Sequence, residues 1–226
     1  MSHTHLVIMR HGRTAYNNEG RLQGQIDIPL DDQGQRQVER AAKTLVKHYP
    51  NALVVASDLQ RAAQSAAPLW ELLDQEALLD QRLRERSFGA WEGLLATEIA
   101  AQWPEPFADW RNGNDPQGTD AEPRGRVADR VRAALTEHLS AAREVGRPLI
   151  IVTHGAVASI ALGDLLGQPS VGWRGISGLD NANWSVLVPN PVKVTPDWRL
   201  LGHNISGHHD AYPPGGDVLR YDSAKK

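Results

Sequence analysis

The sequence of 226 residues predicts an α/β protein: a three-layer α/β/α sandwich around a mostly parallel sheet with one antiparallel edge. Two observations carry this prediction. Short apolar runs alternate along the chain with longer segments of helical periodicity, an alternation that is typical of a parallel sheet with helices on both faces. Two late strands, near 183–188 and 192–201, are expected to pair antiparallel.

The first half of the chain contains two predicted strands and two predicted helices. The apolar run at 6–10 predicts the first strand, and a loop rich in glycine and asparagine follows it. Asp31 can cap the first turn of the next helix. Apolar residues of that helix recur at helical spacing, namely Val38, Ala42, Leu45, Val46 and Tyr49. A second strand at 53–57 precedes an alanine-rich helix at 59–73, which Pro68 is expected to interrupt or kink.

The second half of the chain completes the alternation. Its predicted elements are, in order, a connecting segment at 78–95, an irregular excursion at about 104–125, a helix at 126–145, a strand at 149–153 and a helix at 156–166. The excursion is rich in prolines, and we expect it to pass over the sheet edge like a lid. Residues 1–226 are expected to form a single domain, because nothing in the sequence separates two.

Composition and charge narrow the classes of function. A formal net charge of −3 gives no reason to expect nucleic acid or an anionic membrane as a partner. The chain has no cysteine, which excludes disulfides, thiolate metal sites and a cysteine nucleophile. No apolar stretch approaches the length of a transmembrane helix, and the first residues lack a charged and apolar leader. These observations predict a soluble, cytoplasmic protein.

Cationic side chains and imidazoles stand where three of the predicted strands end. Arg10 and His11 close the first strand, and Arg61 comes shortly after the second. His154 and Gly155 directly follow the third. In open α/β sheets, ligands bind at the carboxyl ends of the strands. We therefore expect a site for a phosphoryl group at this edge.

The residue types suit phosphoryl transfer. A phosphomonoester carries about two negative charges near neutral pH, and the guanidinium groups of Arg10 and Arg61 can each present several donors to its oxygens. Like charges disfavour protonation of a nearby imidazole, so His11 can stay neutral and attack phosphorus. A carboxylic acid must protonate the leaving oxygen and later activate water. Glu85 is the best candidate, and Glu92 is the alternative. Backbone N–H groups at the start of the last predicted helix are expected to add a further anion site.

Four motifs stand in a fixed order along the chain: Arg10-His11-Gly12-Arg13-Thr14-Ala15-Tyr16-Asn17, Ser57-Asp58-Leu59-Gln60-Arg61-Ala62, Leu83-Arg84-Glu85 with Phe88-Gly89-Ala90-Trp91-Glu92-Gly93, and Thr153-His154-Gly155. They resemble the histidine phosphatase superfamily, which includes the cofactor-dependent phosphoglycerate mutases. The resemblance implies that His11 forms a phosphohistidine and that Glu85 donates and accepts the proton. It also implies a set of phosphate and polar substrate contacts, namely Arg10, Arg61, His154, Gly155, Asn17 and Gln23. Because arginines rather than carboxylates supply the charge, we expect no metal and no cofactor.

Further stretches narrow the resemblance within the family. Residues 173–184, 198–201 and the loop 21–30 resemble actinobacterial members that act as glucosyl-3-phosphoglycerate phosphatases. Family members often have Gly-Glu-Ser after the excursion, whereas 117–122 reads Gln-Gly-Thr-Asp-Ala-Glu here. The substrate side of the lid is therefore the part expected to differ. We expect a metal-independent phosphomonoesterase for a small phosphorylated metabolite, with glucosyl-3-phosphoglycerate as the candidate.

Two other functions stay open. A phosphoglycerate mutase-type phosphotransferase would use the same His11, although such mutases generally have a longer stretch between the acid and the second histidine. A noncatalytic phospho-ligand binding module would be expected to lose His11 or Glu85, and both are present. The oligomeric state is also open, a homodimer being one option.

Two features near the expected site have weaker implications. The seven tryptophans are expected to pack in the interior, with Trp91 or Trp110 as candidates for lining the pocket. A histidine-rich tail could in principle hold a divalent ion, through His203, His208, His209 and Asp210. It lacks a helical ligand spacing, so no metal is expected there.

Overall fold

Five strands form a single sheet in the computed structural model, which describes residues 4–207. They are β1 (Leu6–Arg10), β2 (Leu53–Ala56), β3 (Leu149–Thr153), β4 (Trp184–Pro189) and β5 (Trp198–Ile205). Their order across the sheet is β2-β3-β1-β4-β5. β1 pairs in parallel with β3, and β3 with β2, whereas β4 runs antiparallel to both β1 and β5. The predicted sheet, mostly parallel with one antiparallel edge, is confirmed.

Helices cover both faces of this sheet. In chain order they are α1 (Ala15–Glu19), α2 (Asp32–His48), α3 (Gln60–Leu72), α4 (Ala96–Gln102), α5 (Pro104–Arg111), α6 (Arg124–Glu144) and α7 (Gly155–Leu165). α2 and α3 pack on one face, and α6 and α7 pack on the other. The predicted three layers are therefore confirmed. No helix within residues 4–207 is long and apolar enough to cross a membrane.

The position of β1 at the centre of the sheet explains why its sequence is a continuous apolar run. Leu6 and Ile8 belong to the core under α6 and α7, and Val7 and Met9 belong to the core under α2 and α3. A strand that is buried on both faces must be apolar at every position. The run therefore places its first charged residue, Arg10, at the carboxyl end of the strand.

A local signal sets the start of α2, whereas tertiary packing overrides a local signal, a proline, in α3. The Asp31 side chain accepts a hydrogen bond from the Gly34 backbone N–H at 2.8 Å, which confirms the predicted cap. α3 contains Pro68 but runs without interruption from Gln60 to Leu72. Leu69 and Trp70 of its next turn are buried in the core, and this packing outweighs the hydrogen bond that a proline removes.

Two segments differ from the sequence-based expectation. The excursion predicted to be irregular begins with a helix, α5, whose first residue, Pro104, suits a position where no N–H is needed. Within the excursion, only residues 112–123 lie outside a helix or strand. The last strand begins at Trp198 rather than at 192, since Pro191 and Pro196 precede it and proline cannot donate to a strand ladder.

A small satellite core lies apart from the sheet. It contains the buried residues Phe88, Trp91 and Ile99. Aromatic residues that pack against it are Trp103, just before the excursion, and Phe107 and Trp110 within it. The Trp91 ring is fully buried and meets Trp110 at a centroid distance of 6.0 Å, nearly perpendicular at 84°. Edge-to-face contact of this kind is a favourable aromatic geometry. The excursion is thus fixed by its own aromatic cluster.

The histidine-rich tail falls mostly beyond the described part of the chain. His208, His209 and Asp210 lie outside residues 4–207. His203 lies in β5, where its Nδ1 is 2.8 Å from the Ser185 hydroxyl. No group of three or more histidine, aspartate or glutamate side chains suitable for a metal ion occurs within residues 4–207.

Asp80 is expected to stabilise the fold in a pH-dependent way. Burial alone would raise the pKa of Asp80, but hydrogen bonds from Arg82 and His138 outweigh burial and lower the pKa to about 2. A depressed carboxylate pKa stabilises the protein above about pH 4, and this contribution is lost as the pH falls toward 2. Asp80→Asn should lower the free energy of unfolding at pH 7 by about 2 kcal/mol.

Urea unfolding at pH 7 and pH 3 measures this effect, and the deficit of the variant should shrink by roughly half at pH 3. Asp129→Asn is the matched control, because Asp129 is exposed on α6 and forms only a surface ion pair with Arg132. Exposed pairs contribute at most about 1 kcal/mol. An Asp80 variant with the same deficit at both pH values would show that lost packing, and not charge, is responsible.

Candidate active site

A cavity of about 270 Å³ opens at the carboxyl end of β1. Six of the sequence-predicted residues line it, namely Arg10, His11, Asn17, Gln23, Arg61 and Glu85. His154 lies directly behind, with its ring centroid 5.2 Å from that of His11. Gly155 lines an adjoining cavity together with Arg10. The structure therefore brings the predicted site residues together at the predicted edge of the sheet.

His11 is held in one orientation by the chain that follows it. Its Nδ1 lies 2.7 Å from the Gly12 carbonyl oxygen. Because a carbonyl oxygen only accepts, Nδ1 carries the proton, and a neutral ring then has its lone pair on Nε2. Gly12 permits close packing of this turn, since an added Cβ would lie 2.7 Å from the Gly34 carbonyl oxygen of α2.

The surroundings of His11 favour the neutral ring. The residue is only 2% exposed. Burial lowers the pKa of His11 well below its ordinary value, and the nearby positive charges of Arg61 and Arg10 lower it further. A buried imidazole between two guanidinium groups is therefore a neutral base at physiological pH. That is the protonation state a nucleophile requires.

Arg61, in the first turn of α3, is fully buried and has three hydrogen-bonded donors. Its Nη1 and Nη2 donate to the carbonyl oxygens of Ile26 and Gly24, each at 2.7 Å. Each of these nitrogens keeps a second N–H that can bind an anion. The Nε donates to His154 Nδ1 at 3.2 Å.

His154 is fixed from both sides of its ring. Because the Arg61 guanidinium only donates, Nδ1 of a neutral His154 accepts and Nε2 carries the proton. The Nε2 lies 2.9 Å from the hydroxyl of Ser57, at the end of β2. Burial lowers the pKa of His154 well below its ordinary value, and Arg61, His11 and Arg10 add to the effect. Ser57 thus orients a site histidine, a role that the sequence analysis missed.

Arg10 is anchored by one donor and keeps others free. Its Nη1 donates to the Leu179 carbonyl oxygen at 2.7 Å. Its Nε is buried and has no hydrogen-bond partner among the described residues. A buried donor without a partner costs about 1–3 kcal/mol, a cost that an anionic ligand removes when it binds. Burial lowers the pKa of Arg10, which Glu85 and Asp180 partly oppose, and a guanidinium remains cationic at physiological pH.

Glu85 lies at the amino end of α7 and not in solvent. Its Oε1 accepts from the backbone N–H groups of Arg86 at 2.8 Å and Val157 at 3.2 Å, and its Oε2 accepts from that of Ala156 at 3.1 Å. Two backbone N–H groups at this helix end, those of Ala156 and Val157, therefore bind the Glu85 carboxylate. Binding of a ligand anion at this helix end stays a prediction. Arg130 of α6 supports the segment by donating to the Glu85 carbonyl oxygen and to those of two preceding residues.

The alternative acid, Glu92, has a different environment. It does not line the 270 Å³ cavity. Its Oε1 accepts from the Gln25 and Phe88 backbone N–H groups at 3.1 and 2.9 Å and from the Ser87 hydroxyl at 3.2 Å. This carboxylate therefore joins two loops, and the geometry favours Glu85 as the acid.

Asn17 and Gln23 have structural contacts and also line the cavity. Asn17 forms a capping box with Thr14, and its Oδ1 accepts from Asn181 at 3.1 Å. Gln23 Oε1 accepts from the Thr14 hydroxyl at 3.0 Å. Within residues 4–207 no hydrogen bond engages the side-chain amide nitrogen of either residue. Those nitrogens are available to a ligand oxygen.

Aromatic residues form the apolar wall of the cavity. Phe88, Phe107 and Trp110 line it, whereas Trp91 is buried behind them. Trp110 was one of the two candidates raised from the sequence, and Phe107 was missed. Both belong to α5, so the expectation of an irregular excursion hid the helical spacing that places them on one face.

Comparisons with known proteins agree with this geometry. The family model for the histidine phosphatase superfamily (branch 1) matches residues 6–202. Glucosyl-3-phosphoglycerate phosphatase of Mycobacterium tuberculosis is 36% identical over 211 residues, which cover 89% of this chain and 94% of that protein. Phosphoglycerate mutase-like protein 4 of Arabidopsis thaliana is 33% identical, over 70% of this chain and 69% of that protein.

A solved structure supports the same relationship. It is that of a mycobacterial glucosyl-3-phosphoglycerate phosphatase in complex with VO3, which superposes with a TM-score of 0.79 at 34% identity. The match covers 90% of this chain and all of the other, 100%. The similarity therefore extends over most of the fold.

His11 and His154 are expected to stay neutral across the range in which an ordinary histidine titrates. Burial lowers the pKa of both rings, and Arg61 and Arg10 lower it further, so neither ring should gain a proton as the pH falls from about 8 to 6. NMR titration of the ligand-free protein tests this, with the exposed His48 as the internal comparison. Arg61→Met removes one charge and should raise both pKa values. A His11 ring that titrates near 6.5 would contradict this account.

Proposed function

Because the chain belongs to the histidine phosphatase superfamily, branch 1, we propose that His11 takes the phosphoryl group from a small phosphomonoester and passes it to water. The chain is a phosphatase, as its family and its relatives indicate. The observation that carries the assignment of His11 is the contact of its Nδ1 with the Gly12 carbonyl. That contact leaves Nε2 unprotonated at the carboxyl end of a central strand.

The first step of the proposed reaction is attack of His11 Nε2 on phosphorus. The bond between phosphorus and the leaving oxygen breaks, and the protonated carboxyl of Glu85 donates its proton to that oxygen. Arg10 and Arg61 stabilise the charge on the phosphoryl oxygens, the main source of catalysis in phosphoryl transfer. The product is an alcohol and a phosphohistidine.

In the second step water replaces the alcohol. Glu85, now a carboxylate, removes a proton from the water as it attacks phosphorus, and the bond between His11 Nε2 and phosphorus breaks. Inorganic phosphate leaves, and the proton taken from the water remains on Glu85 for the next cycle. His154 is proposed to orient Arg61 and to contact the phosphoryl group, while Asn17 and Gln23 bind polar groups of the substrate.

The proposed substrate is glucosyl-3-phosphoglycerate. The relatives with this name are 36% identical to the chain over most of its length, and a structure with this name shares the fold. The cavity at His11 also opens into a wider one of about 480 Å³, which leaves room for more than a phosphate. The proposed reaction does not depend on this choice of substrate.

Phosphorylation of His11 is the first test. Rapid acid-free quenching of the protein with ³²P-labelled glucosyl-3-phosphoglycerate should trap a phosphoenzyme that is labile to acid and stable to base. His11→Ala should lose the label and at least about three decades of turnover, since removal of a covalent nucleophile is among the costliest active-site changes. His203→Gln is the control, because His203 lines neither cavity. Substantial turnover by His11→Ala would refute the assignment.

The role of Glu85 can be separated from that of the arginines by varying the leaving group. Glu85→Gln should slow hydrolysis of an alkyl phosphate by about two to three decades and spare an aryl phosphate, whose leaving group needs no proton. Arg61→Met should slow both, because it stabilises phosphoryl charge that both substrates share. Glu92→Gln is the matched comparison, and any loss there should be independent of the leaving group. Equal slowing of both substrates by Glu85→Gln would make Glu85 a positioning residue.

A further inference from the structure

The cavity at His11 continues into a second, wider compartment. This compartment of about 480 Å³ shares several lining residues with the first, namely Arg10, Leu22, Glu85, Phe88 and Trp110. A ligand phosphorylated at one end would place its phosphoryl group at His11 and extend its remainder into this space. The residues specific to the second compartment therefore face the part of the substrate that is not phosphate.

Two arginines give the second compartment an excess of positive charge. Arg124, the first residue of α6, and Arg174 both line it, whereas the carboxylates among its lining residues are limited to Glu85. That carboxylate already accepts three backbone N–H bonds. Neither Arg124 nor Arg174 forms an ion pair within 4 Å in the part of the chain from 4 to 207.

Backbone carbonyl oxygens, not carboxylates, hold these two guanidinium groups in place. Arg124 Nε donates to the Ser170 carbonyl oxygen. Arg174 Nη1 donates to the Arg111 carbonyl oxygen at 2.7 Å. The Nη atoms of Arg124 and the Nη2 of Arg174 have no hydrogen-bond partner among the described residues. Each arginine is thus positioned but keeps donors free.

The nearest carboxylate does not neutralise Arg124. Asp115 forms an ion pair with the buried Arg86 at 2.7 Å, and the same oxygen accepts from the Arg124 backbone N–H. Burial lowers the pKa of Arg124, and the positive charges of Arg86 and Arg174 lower it further, against partial compensation by Asp115. Positive charge held this way without a partner is relieved by binding an anion.

We propose that Arg124 and Arg174 bind a carboxylate of the substrate and make the enzyme selective for phosphorylated hydroxy acids. The inference rests on the proposed function, because a phosphoglycerate moiety carries such a carboxylate next to its phosphorylated arm. Planar guanidinium groups match a carboxylate in geometry and in charge. Selectivity arises because a substrate that lacks the carboxylate makes no charge-assisted hydrogen bond with either guanidinium and leaves the partly buried donors of Arg124 without an anionic partner.

An aromatic wall beside the arginines fits the rest of such a substrate. The Trp173 ring lines the second compartment and packs tightly against glycine. An added Cβ at Gly175 would lie 2.6 Å from this ring, and one at Gly163 would lie 3.4 Å from it. The two glycines, which have no side chain, therefore let the ring pack closely against the backbone and so fix its position. Trp110 also lines this compartment. Flat apolar faces of this kind suit the carbon face of a pyranose.

A matched pair of substrates tests the proposal. 3-Phosphoglycerate and glycerol 3-phosphate differ in having a carboxylate or a hydroxymethyl group, and their leaving groups are both primary alkoxides. The wild-type protein should show a higher kcat/KM for 3-phosphoglycerate. Arg124→Gln and Arg174→Gln should each reduce the ratio of the two kcat/KM values by about tenfold to a hundredfold, the usual effect of losing a hydrogen bond to a charged group.

Arg126→Gln is the control, since Arg126 is exposed on the same helix and lines neither compartment. Its ratio should equal that of the wild type. A loss of structure in the Arg124 or Arg174 variants would slow both substrates alike and leave the ratio unchanged, an outcome that overturns the proposal. A wild-type preference for glycerol 3-phosphate would overturn it as well.

The test also separates this inference from the proposed substrate. If 3-phosphoglycerate is preferred over glycerol 3-phosphate but glucosyl-3-phosphoglycerate is not hydrolysed, the carboxylate site stands and the proposed substrate fails. If no compound turns over, calorimetric binding of the same pair to His11→Ala replaces the rates. A preference for 3-phosphoglycerate that depends on Arg124 would then support the site, and equal binding of both compounds would refute it.

Discussion

The candidate site depends on holding its two arginines, Arg10 and Arg61, with neutral oxygen atoms. Arg61 donates to the Gly24 and Ile26 carbonyls, and Arg10 donates to the Leu179 carbonyl. A carboxylate partner would position a guanidinium equally well, but it would also cancel the charge that a phosphate must find. Carbonyl oxygens fix the direction of the donors and leave the charge in place. The cost of burying cations without counter-ions is then offset when the dianion binds.

This arrangement explains where the carboxylates of the site are found. Glu85 and Glu92 both lie near Arg61 in space, yet each accepts hydrogen bonds from backbone N–H groups. Glu85 in addition lines the cavity, so it can exchange a proton with a ligand. The amino end of α7 therefore binds the carboxylate of the candidate acid. His154 precedes that helix directly, so one turn after β3 positions both the acid and the second imidazole.

The sequence was sufficient for the layers, the sheet edge and the clustering of the predicted site residues at that edge, because those follow from periodicity and from strand ends. Two kinds of feature could not be read in this way. The course of 104–125 depends on an aromatic cluster, in which Phe107 and Trp110 pack against Trp91, and its prolines pointed instead to an irregular loop. Which group binds the backbone N–H groups at a helix end also depends on tertiary structure. Glu85 and its partners Ala156 and Val157 are 71 and 72 residues apart in the sequence. Ser57 could have been inferred, because it ends β2 next to the strand that carries His154.

The same design principle connects the catalytic pocket with the compartment beside it. Arg124 and Arg174 are bound by the Ser170 and Arg111 carbonyls in the way that Arg61 is bound by those of its loop. The difference lies in the elements that carry them. Arg10 ends β1 and Arg61 lies in α3, two elements that pack in the core. Arg174 lies in a loop, and its guanidinium donates to the Arg111 carbonyl oxygen of the excursion. The proposed phosphate contacts are therefore carried by the sheet and α3, whereas the proposed carboxylate contacts are carried by the first turn of α6 and by a loop.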